Sequence, residues 1–226
     1  MGGAVIAVTG GSGVLGRAVI EAAHQAGWEA AAIDHAATPA GADEEVFRIG
    51  GIDLADPGSA ARAVEAVVSR FGRLDALINV AGGFRWQTLA GGPFESWAEL
   101  YATNVLTAAA ASKAALPHLA ASGRGAIVNV GANGAVKAGA GMGAYAAAKA
   151  GVHRLTEALA EEWKGRVRVN AILPSILDTP ANRADMPKAD PTAWVSPAEA
   201  AAVILFLAGE DASAITGALL PVTGRV

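Results

Sequence analysis

Short apolar runs alternate regularly along this chain with longer stretches in which apolar residues recur with the period of a helix, and this alternation limits the possible folds. Each short run is bounded by Gly, Asp or Pro, as expected for strands buried on both faces. The predicted strands are Ala4–Val8, Glu29–Ile33, Leu74–Val80, Ala126–Val130, Val167–Leu173 and Leu219–Val222. The predicted helices are Gly13–Ala26, Pro57–Phe71, Trp97–Ala121, Ala144–Trp163 and Pro197–Ala208. This order predicts one Rossmann-type α/β domain over residues 1–226, a doubly wound parallel sheet of about seven strands with helices on both faces.

Charge and composition exclude several classes of protein. The net charge is −4 and the 17 basic residues are scattered, so we expect neither a nucleic-acid partner nor a membrane partner. The chain has no cysteine, which excludes disulfides, thiolate catalysis and cysteine-ligated metals. The first apolar run is too short for a signal peptide or a membrane span. We therefore expect a cytoplasmic protein that acts on a small molecule.

A glycine-rich turn follows the first predicted strand and opens the first predicted helix. Gly11, Gly13 and Gly16 fall in the order G-x-G-x-x-G, which lets backbone N–H groups approach a pyrophosphate at the helix N-terminus. The alternative is a glycine-rich turn without a ligand. We predict a dinucleotide site with contacts from Gly10, Ser12, Gly13, Val14, Leu15 and Gly16.

Asp34 ends the second predicted strand, where a Rossmann domain places an acid to accept hydrogen bonds from the adenosine ribose. A carboxylate there would repel the 2′-phosphate of NADP. The predicted cofactor is therefore NAD, with NADH preferred over NADPH, although a protonated His35 would weaken the preference. The alternative is a solvated aspartate at a strand end.

Tyr145 and Lys149 lie four residues apart near the start of a predicted helix, so their side chains project from one face. A free tyrosine has a pKa of about 10, and a nearby ammonium and a nicotinamide cation both favour its phenolate. We predict that Tyr145 is the general acid in reduction and the base in oxidation. In isolation, such a pair more often lies on a helix surface.

Two further segments are expected at the carboxyl edge of the sheet, where open α/β sheets bind ligands. Asn129–Gly143 is rich in glycine, and the segment 174–196 carries four prolines without strand or helix periodicity. We predict a lid over residues 174–196, with a passive surface loop as the alternative. His24, His118 and His153 lie in predicted helices without a second ligand at metal spacing, so we expect no metal site and interpret them as helix-surface or packing residues.

These motifs together resemble the short-chain dehydrogenase/reductase family, and the resemblance covers essentially the whole chain. Further matches are Asp53-Leu54, Asn79-Val80-Ala81-Gly82, Asn104, Arg168–Pro174, Asp178-Thr179-Pro180 and Ile215-Thr216-Gly217. The resemblance implies that Asp53, Leu54, Asn79, Ala81 and Gly82 contact the cofactor, and that Pro174, Ser175, Ile176 and Thr179 line the nicotinamide. It also implies that Lys149 holds the nicotinamide ribose and that Asn104 supports a water-linked proton relay.

Two departures from that family pattern narrow the choice. The usual turn, T-G-x-x-x-G-x-G, has its middle glycine where this chain has Val14, and Gly13 stands one place earlier. The active-site serine, expected thirteen residues before the tyrosine, is replaced by Ala132. One such hydrogen-bond donor is commonly worth about 3 kcal/mol in the transition state. Simple ketone reduction should therefore be poor.

In both departures the chain resembles the dihydropteridine reductases within that family. This resemblance implies a quinonoid dihydropteridine or a similar flat conjugated ring as substrate. Such a ring spreads the charge that it receives, so Tyr145 alone could suffice as proton donor. Two alternatives remain open. In a general alcohol or ketone dehydrogenase, Asn133 or a backbone group would replace the serine. Asn104 supports this alternative, because it is the residue usual at its position in the family. In a catalytically silent dinucleotide-binding sensor or assembly protein, the serine would be dispensable.

Loops expected to border the pocket carry large side chains that could contact the substrate: Phe84, Trp86, Met142 and Trp194. Ordinary loop packing is the alternative for each of them. The resemblance further implies a homodimer or homotetramer that assembles through the two long helices, Trp97–Ala121 and Ala144–Trp163. Their alanine-rich faces would permit close packing.

Overall fold

A seven-stranded parallel sheet in the order β3-β2-β1-β4-β5-β6-β7 forms the centre of the molecule. The computed structural model describes residues 3–38 and 46–226. The strands are β1 Val5–Thr9, β2 Glu29–Ile33, β3 Phe47–Ile49, β4 Ala76–Asn79, β5 Ala126–Val130, β6 Arg168–Pro174 and β7 Leu219–Val222. The helices are α1 Val14–Gln25, α2 Pro57–Phe71, α3 Ser96–Tyr101, α4 Thr107–Ser122, α5 Gly143–Glu162, α6 Pro180–Asp185 and α7 Pro197–Ala208. The predicted Rossmann-type domain is confirmed.

Alternate residues of each buried strand supply two cores, one on each face of the sheet. Val5 and Ala7 of β1 face the core formed with α2, α4 and α5, whereas Ile6 and Val8 face the core formed with α1 and α7. All five β1 side chains are buried, which is why the strand reads as one continuous apolar run.

The structure differs from the predicted elements in three places. The edge strand β3 has only three half-buried residues, too few for a visible apolar run. The long helix predicted from Trp97 onward is divided, because a π-helical turn over Ala102–Leu106 joins α3 to α4. Such turns are rare and often lie at functional sites.

The third difference lies in the segment 174–196, where α6 and a 3₁₀ turn at Pro191–Ala193 occupy a region predicted to lack regular structure. A parallel bridge between Leu177 and Val195 closes the base of this segment. The Asp178 carboxylate also forms a two-bond ion pair with Arg183. The excursion is therefore a braced unit.

The strand order reverses beside β1, whose neighbours β2 and β4 lead to opposite halves of the sheet. In open α/β sheets, ligands bind at the carboxyl end of the strands at this switch point. No helix in the described part of the chain has the length and apolar character needed to cross a membrane. Within residues 3–38 and 46–226, no three His, Asp or Glu side chains are grouped as metal ligands.

Candidate active site

The glycine turn packs against the β4 loop so tightly that side chains are excluded from it. Gly10 has a φ of +64°, and a Cβ there would lie 2.9 Å from the backbone nitrogen of Ala81. A Cβ on Gly16 would overlap the carbonyl oxygen of Gly10. Gly13, by contrast, is exposed and precedes the first turn of α1, which no side chain caps. The first N–H groups of α1 therefore remain able to bind an anion.

The carboxylate of Asp34 lies beside this turn. One oxygen accepts a hydrogen bond from the backbone N–H of Ser12 at 2.9 Å, and the other accepts one from Ala36 at 3.1 Å. The Arg17 guanidinium contacts the carbonyl oxygen of Ser12 from the other side. The structure thus holds the Asp34 carboxylate against the glycine turn.

Tyr145 and Lys149 project from the first turns of α5, as their spacing predicted. Burial raises the pKa of Tyr145 to about 12 and lowers the pKa of Lys149 to about 8. The Lys149 ammonium donates a hydrogen bond to the carbonyl oxygen of Val130 at 2.8 Å. The sequence suggested that a nearby ammonium and a nicotinamide would stabilise the phenolate. Without a bound cofactor, the effect of burial on the pKa of Tyr145 is the larger one, so the phenol stays protonated at neutral pH.

Asn104 lies within the π-helical turn and is 1% exposed. Its side chain accepts a hydrogen bond from the N–H of Gly83 at 3.2 Å and donates one to the carbonyl of the same residue at 3.1 Å. A Cβ on Gly82 would lie 2.7 Å from the Asn104 Oδ1 atom and 3.2 Å from the Lys149 Nζ atom. The fold therefore brings together Gly82, Asn104 and Lys149, which are far apart in the sequence.

Aromatic side chains form a wall next to the phenol. The ring of Phe84 meets that of Tyr145 edge to face, with 4.9 Å between centroids. Trp86 is 61% exposed, and its indole N–H donates to the carbonyl of Ala140 at 3.0 Å. A Cβ on Gly141 would overlap the Trp86 ring, so only glycine allows this loop to pack so closely.

Asn133 and Met142 come from the loop that follows β5. Asn133 begins a 3₁₀ turn, is partly buried, and makes no side-chain hydrogen bond to another described residue. The terminal methyl group of Met142 lies 3.4 Å from where a Cβ on Gly134 would stand. Both predicted substrate residues thus belong to one loop, and the Asn133 amide has hydrogen-bonding capacity to spare.

Four predicted site residues have side chains with partners outside the candidate site: Leu54, Trp194, Ser175 and Asn79. Leu54 packs in the core beside α2, while its neighbour Asp53 is exposed and accepts a hydrogen bond from its own loop. Trp194 is 4% exposed, so its ring is part of the interior and not of an open pocket wall. The Ser175 hydroxyl donates to the carbonyl of Thr223 at 2.7 Å, just after the C-terminal strand.

The fourth is Asn79, whose side chain lies inside the sheet. Its amide nitrogen donates to Ser112 at 3.0 Å and to the Asn129 oxygen at 2.8 Å. Asn129 in turn donates to the Thr156 hydroxyl at 2.9 Å. This buried chain of polar groups ties β4 and β5 to α4 and α5, so Asn79 supports the site from beneath. Thr179, by contrast, caps α6 through the backbone N–H of Asn182, and Pro174 ends β6.

Two residues near the site were not identified from the sequence. The Thr9 hydroxyl accepts a hydrogen bond from the Ala81 N–H at 3.2 Å and so joins the glycine turn to the β4 loop. His153 is 3% exposed and contacts the backbone of Ala132. Its spacing of eight residues from Tyr145 was the available signal, since it places both on one helix face.

Fold and side chains together define an oxidoreductase of the Rossmann class. The chain belongs to the short-chain dehydrogenase/reductase family, since residues 4–190 match the family model described as "short chain dehydrogenase".

Curated relatives match along almost the whole chain. It is 32% identical to the 3-oxoacyl-[acyl-carrier-protein] reductase FabG of Vibrio cholerae, over 98% of this chain and 96% of the relative. It is 34% identical to D-threitol dehydrogenase of Mycolicibacterium smegmatis, over 98% and 92%. The solved 3-ketoacyl-(acyl-carrier-protein) reductase of Brucella melitensis, complexed with NADH, superposes with a TM-score of 0.85 at 27% identity, over 99% and 98%. Two of these three proteins are named for a 3-oxoacyl-[acyl-carrier-protein] and one for D-threitol, and none of them is named for a pteridine.

Proposed function

We propose that this protein is an NADH-dependent reductase of a flat conjugated ring, of the quinonoid dihydropteridine type, with Tyr145 as proton donor. One observation carries the proposal: the phenol lies beside an aromatic wall and lacks the usual serine partner. Ala132 contributes only a methyl group, and its backbone N–H is already hydrogen-bonded to His153. A substrate that delocalises the incoming charge needs no second donor.

The residues that would hold the cofactor fit a dinucleotide. Gly13 and the uncapped N-terminus of α1 leave room and N–H groups for a diphosphate. Asp34 is placed to accept hydrogen bonds from a ribose diol, which favours NADH over NADPH. Gly82 keeps the backbone clear of Asn104 and Lys149, the residues assigned to the nicotinamide end. When bound, the nicotinamide supplies the hydride.

The protein's own groups manage the proton. With a pKa of about 12, Tyr145 is protonated at neutral pH and can serve as an acid. Lys149 stays cationic below its pKa of about 8, and a positive charge near the phenol stabilises the phenolate that donation leaves behind. Asn104 is hydrogen-bonded to the Gly83 backbone at the same edge of the sheet. There Asn104 would support the water-linked relay that returns a proton to Tyr145.

The proposed substrate site lies between Tyr145 and the loops that carry Phe84, Trp86 and Met142. Exposed aromatic faces suit a flat ring, because stacking buries apolar area on both partners. The braced segment 174–196 is proposed as the cover on the opposite side, with Ile176 and Thr179 near its base.

Steady-state rates test this function. NADH oxidation would be followed with quinonoid dihydropterin and, in parallel, with cyclohexanone and linear ketones, while NAD reduction would be followed with sugar alcohols. We expect the dihydropterin to have the highest kcat/KM. A ketone or alcohol that exceeds it would overturn the conjugated-ring assignment. Cofactor binding without turnover of any compound would favour a silent binding protein.

A general ketone or alcohol dehydrogenase is the second candidate. It is favoured by the Asn133 amide, which makes no side-chain hydrogen bond within residues 3–38 and 46–226, and by the names of the curated relatives. Since the Ala132 N–H is occupied by His153, Asn133 would have to replace the missing serine. Asn133→Ala separates the two candidates, because it should abolish ketone turnover and leave dihydropterin turnover nearly unchanged.

We also propose that the chain assembles as a homodimer or homotetramer through its two long helical segments. Tyr101 and Leu106 lie on α3 and its π-helical extension and are 49% and 41% exposed. We expect these two exposed side chains to be covered in the assembly. Light scattering at micromolar concentration should give a mass of two or four chains, and a monomer would refute the proposal.

A further inference from the structure

His153 is a buried titratable residue to which the proposed chemistry assigns no role. It follows Lys149 by one helical turn and Tyr145 by two, so the three side chains share one face of α5. Its side chain is 3% exposed. A polar ring buried this deeply is expected to have a hydrogen-bond partner.

The partner of His153 is the backbone at the position of the missing serine. The N–H of Ala132 donates to the Nε2 atom of His153 at 3.3 Å. A Cβ on Gly131 would lie 2.6 Å from the same Nε2 atom and 2.6 Å from the Leu173 side chain, so the loop lies directly against the imidazole. Lys149 holds the carbonyl of Val130 just upstream. Lys149 and His153, on successive turns of α5, thus hold the two ends of the stretch 130–132.

We propose that His153 is a positioning residue: its neutral imidazole accepts the Ala132 N–H and thereby fixes the course of residues 131–133 and the presentation of Asn133 to the substrate. Because Nε2 is the acceptor, the ring proton resides on Nδ1. The same bond withdraws the Ala132 N–H from use as a substrate donor. The effect on turnover rests on the second candidate function, ketone reduction with Asn133 in place of the serine, whereas the effect on the loop backbone does not.

The surroundings of His153 keep it neutral. Burial, followed by the charges of Arg154 and Lys149, lowers its pKa below the ordinary value of 6.5. The loop residues that lie against the imidazole, Gly131 and Ala132, carry no charge. Protonation at low pH would turn the acceptor into a donor that faces the Ala132 N–H, and this would release the loop.

A matched pair of substitutions tests the role. His153→Gln retains an acceptor near the Nε2 position, whereas His153→Met has nearly the same shape as Gln and accepts poorly. We expect His153→Met to lower kcat for NADH-driven ketone reduction, the reaction in which Asn133 would contact the substrate, about tenfold, and His153→Gln to stay within about twofold of the wild type. The Kd for NADH should be unchanged in both, because the glycine turn and Asp34 are untouched. Equal activities of the two variants would overturn the proposal.

A measurement on the unsubstituted protein is independent of catalysis and of variant folding. In ¹⁵N-labelled wild type, the amide resonance of Ala132 should follow the titration of His153 at acidic pH, and this response should vanish in His153→Gln. An Ala132 amide indifferent to pH down to the acid-unfolding limit would reject the inference even if the enzyme proved active. If no probe is reduced, the proposed function fails, and the amide titration still decides the role of His153.

Discussion

The ammonium of Lys149 donates a hydrogen bond to the carbonyl oxygen of Val130 across 2.8 Å, which ties α5 to the carboxyl end of β5. The lysine is 6% exposed, and burial lowers its pKa to about 8. One helical turn away, burial raises the pKa of Tyr145 to about 12. The helix therefore carries, one turn apart, a protonated phenol and an amine that titrates close to neutrality, and the role of each can be tested directly.

Removing the phenol should abolish turnover without affecting the cofactor. We expect Tyr145→Phe to reduce kcat by about 10² to 10⁴, the usual contribution of a general acid, with NADH affinity unchanged by fluorescence titration. Tyr101→Phe is the matched control, since Tyr101 is the other of the chain's two tyrosines and is 49% exposed on α3. Wild-type turnover in Tyr145→Phe would show that the phenol is not the acid.

The nucleotide preference should depend on Asp34. Asp34→Ser removes the carboxylate that would repel a 2′-phosphate and leaves the Arg17 side chain next to the turn. We expect the ratio of kcat/KM for NADH over NADPH to fall at least about tenfold, equivalent to about 1.4 kcal/mol. Asp211→Ser, at an exposed position in the turn after α7, is the control. An unchanged ratio would mean that Asp34 does not select the cofactor.

The lowered pKa of Lys149 should appear as a pH-dependent stability. Between a folded pKa of about 8 and the ordinary 10.5, the unfolded chain binds more protons than the folded protein. The free energy of unfolding should therefore rise by about 2 kcal/mol from pH 8 to pH 10. Chemical denaturation of wild type and Lys149→Met across this range measures the difference. Parallel stability curves for the two proteins would contradict a depressed pKa. Readings stop at pH 10, because Tyr145 contributes the opposite slope above it.

Restoring the family's serine should change the substrate range. Ala132→Ser adds a hydroxyl donor without altering the backbone bond to His153. We expect kcat/KM for cyclohexanone to rise about tenfold to a hundredfold, since one such donor is worth a few kcal/mol. Ala138→Ser, exposed on the same loop, should have no effect. A ketone rate that stays flat would indicate that another group already fills the role of the serine.

Arg168 should contribute strongly to stability. Its guanidinium donates to four carbonyl oxygens at and beyond the C-terminus of α7, those of Leu207, Ala208, Gly209 and Ala212. Arg168→Met removes these four hydrogen bonds and should cost about 2 to 4 kcal/mol in urea unfolding. Arg166→Met, which removes a guanidinium stacked on the Trp163 ring at the surface, should cost less than about 1 kcal/mol. Similar costs for both variants would contradict the capping role.

Local patterns in the sequence were enough to predict most of the fold and the two ends of the site. Continuous apolar runs and the glycine turn report short-range physics that the tertiary structure retains. The side chains of Asp56 and Ser196, which cap α2 and α7, are equally local. The spacing of Tyr145 and Lys149 likewise places both side chains on one face of α5. Each of these features depends only on residues that are close together in the sequence, within one strand or within one or two helical turns.

Sequence patterns alone were therefore enough to predict the Rossmann class, the glycine turn, the acid at the end of β2 and the Tyr–Lys pair. The tertiary structure, in contrast, placed His153 behind Ala132, Asn79 inside the sheet and Trp194 in the interior. It also decided that burial, and not the neighbouring ammonium, dominates the pKa of Tyr145. The physical reason is common to all four: partners and desolvation come from segments distant in the chain, and no local periodicity records which segments the fold brings together.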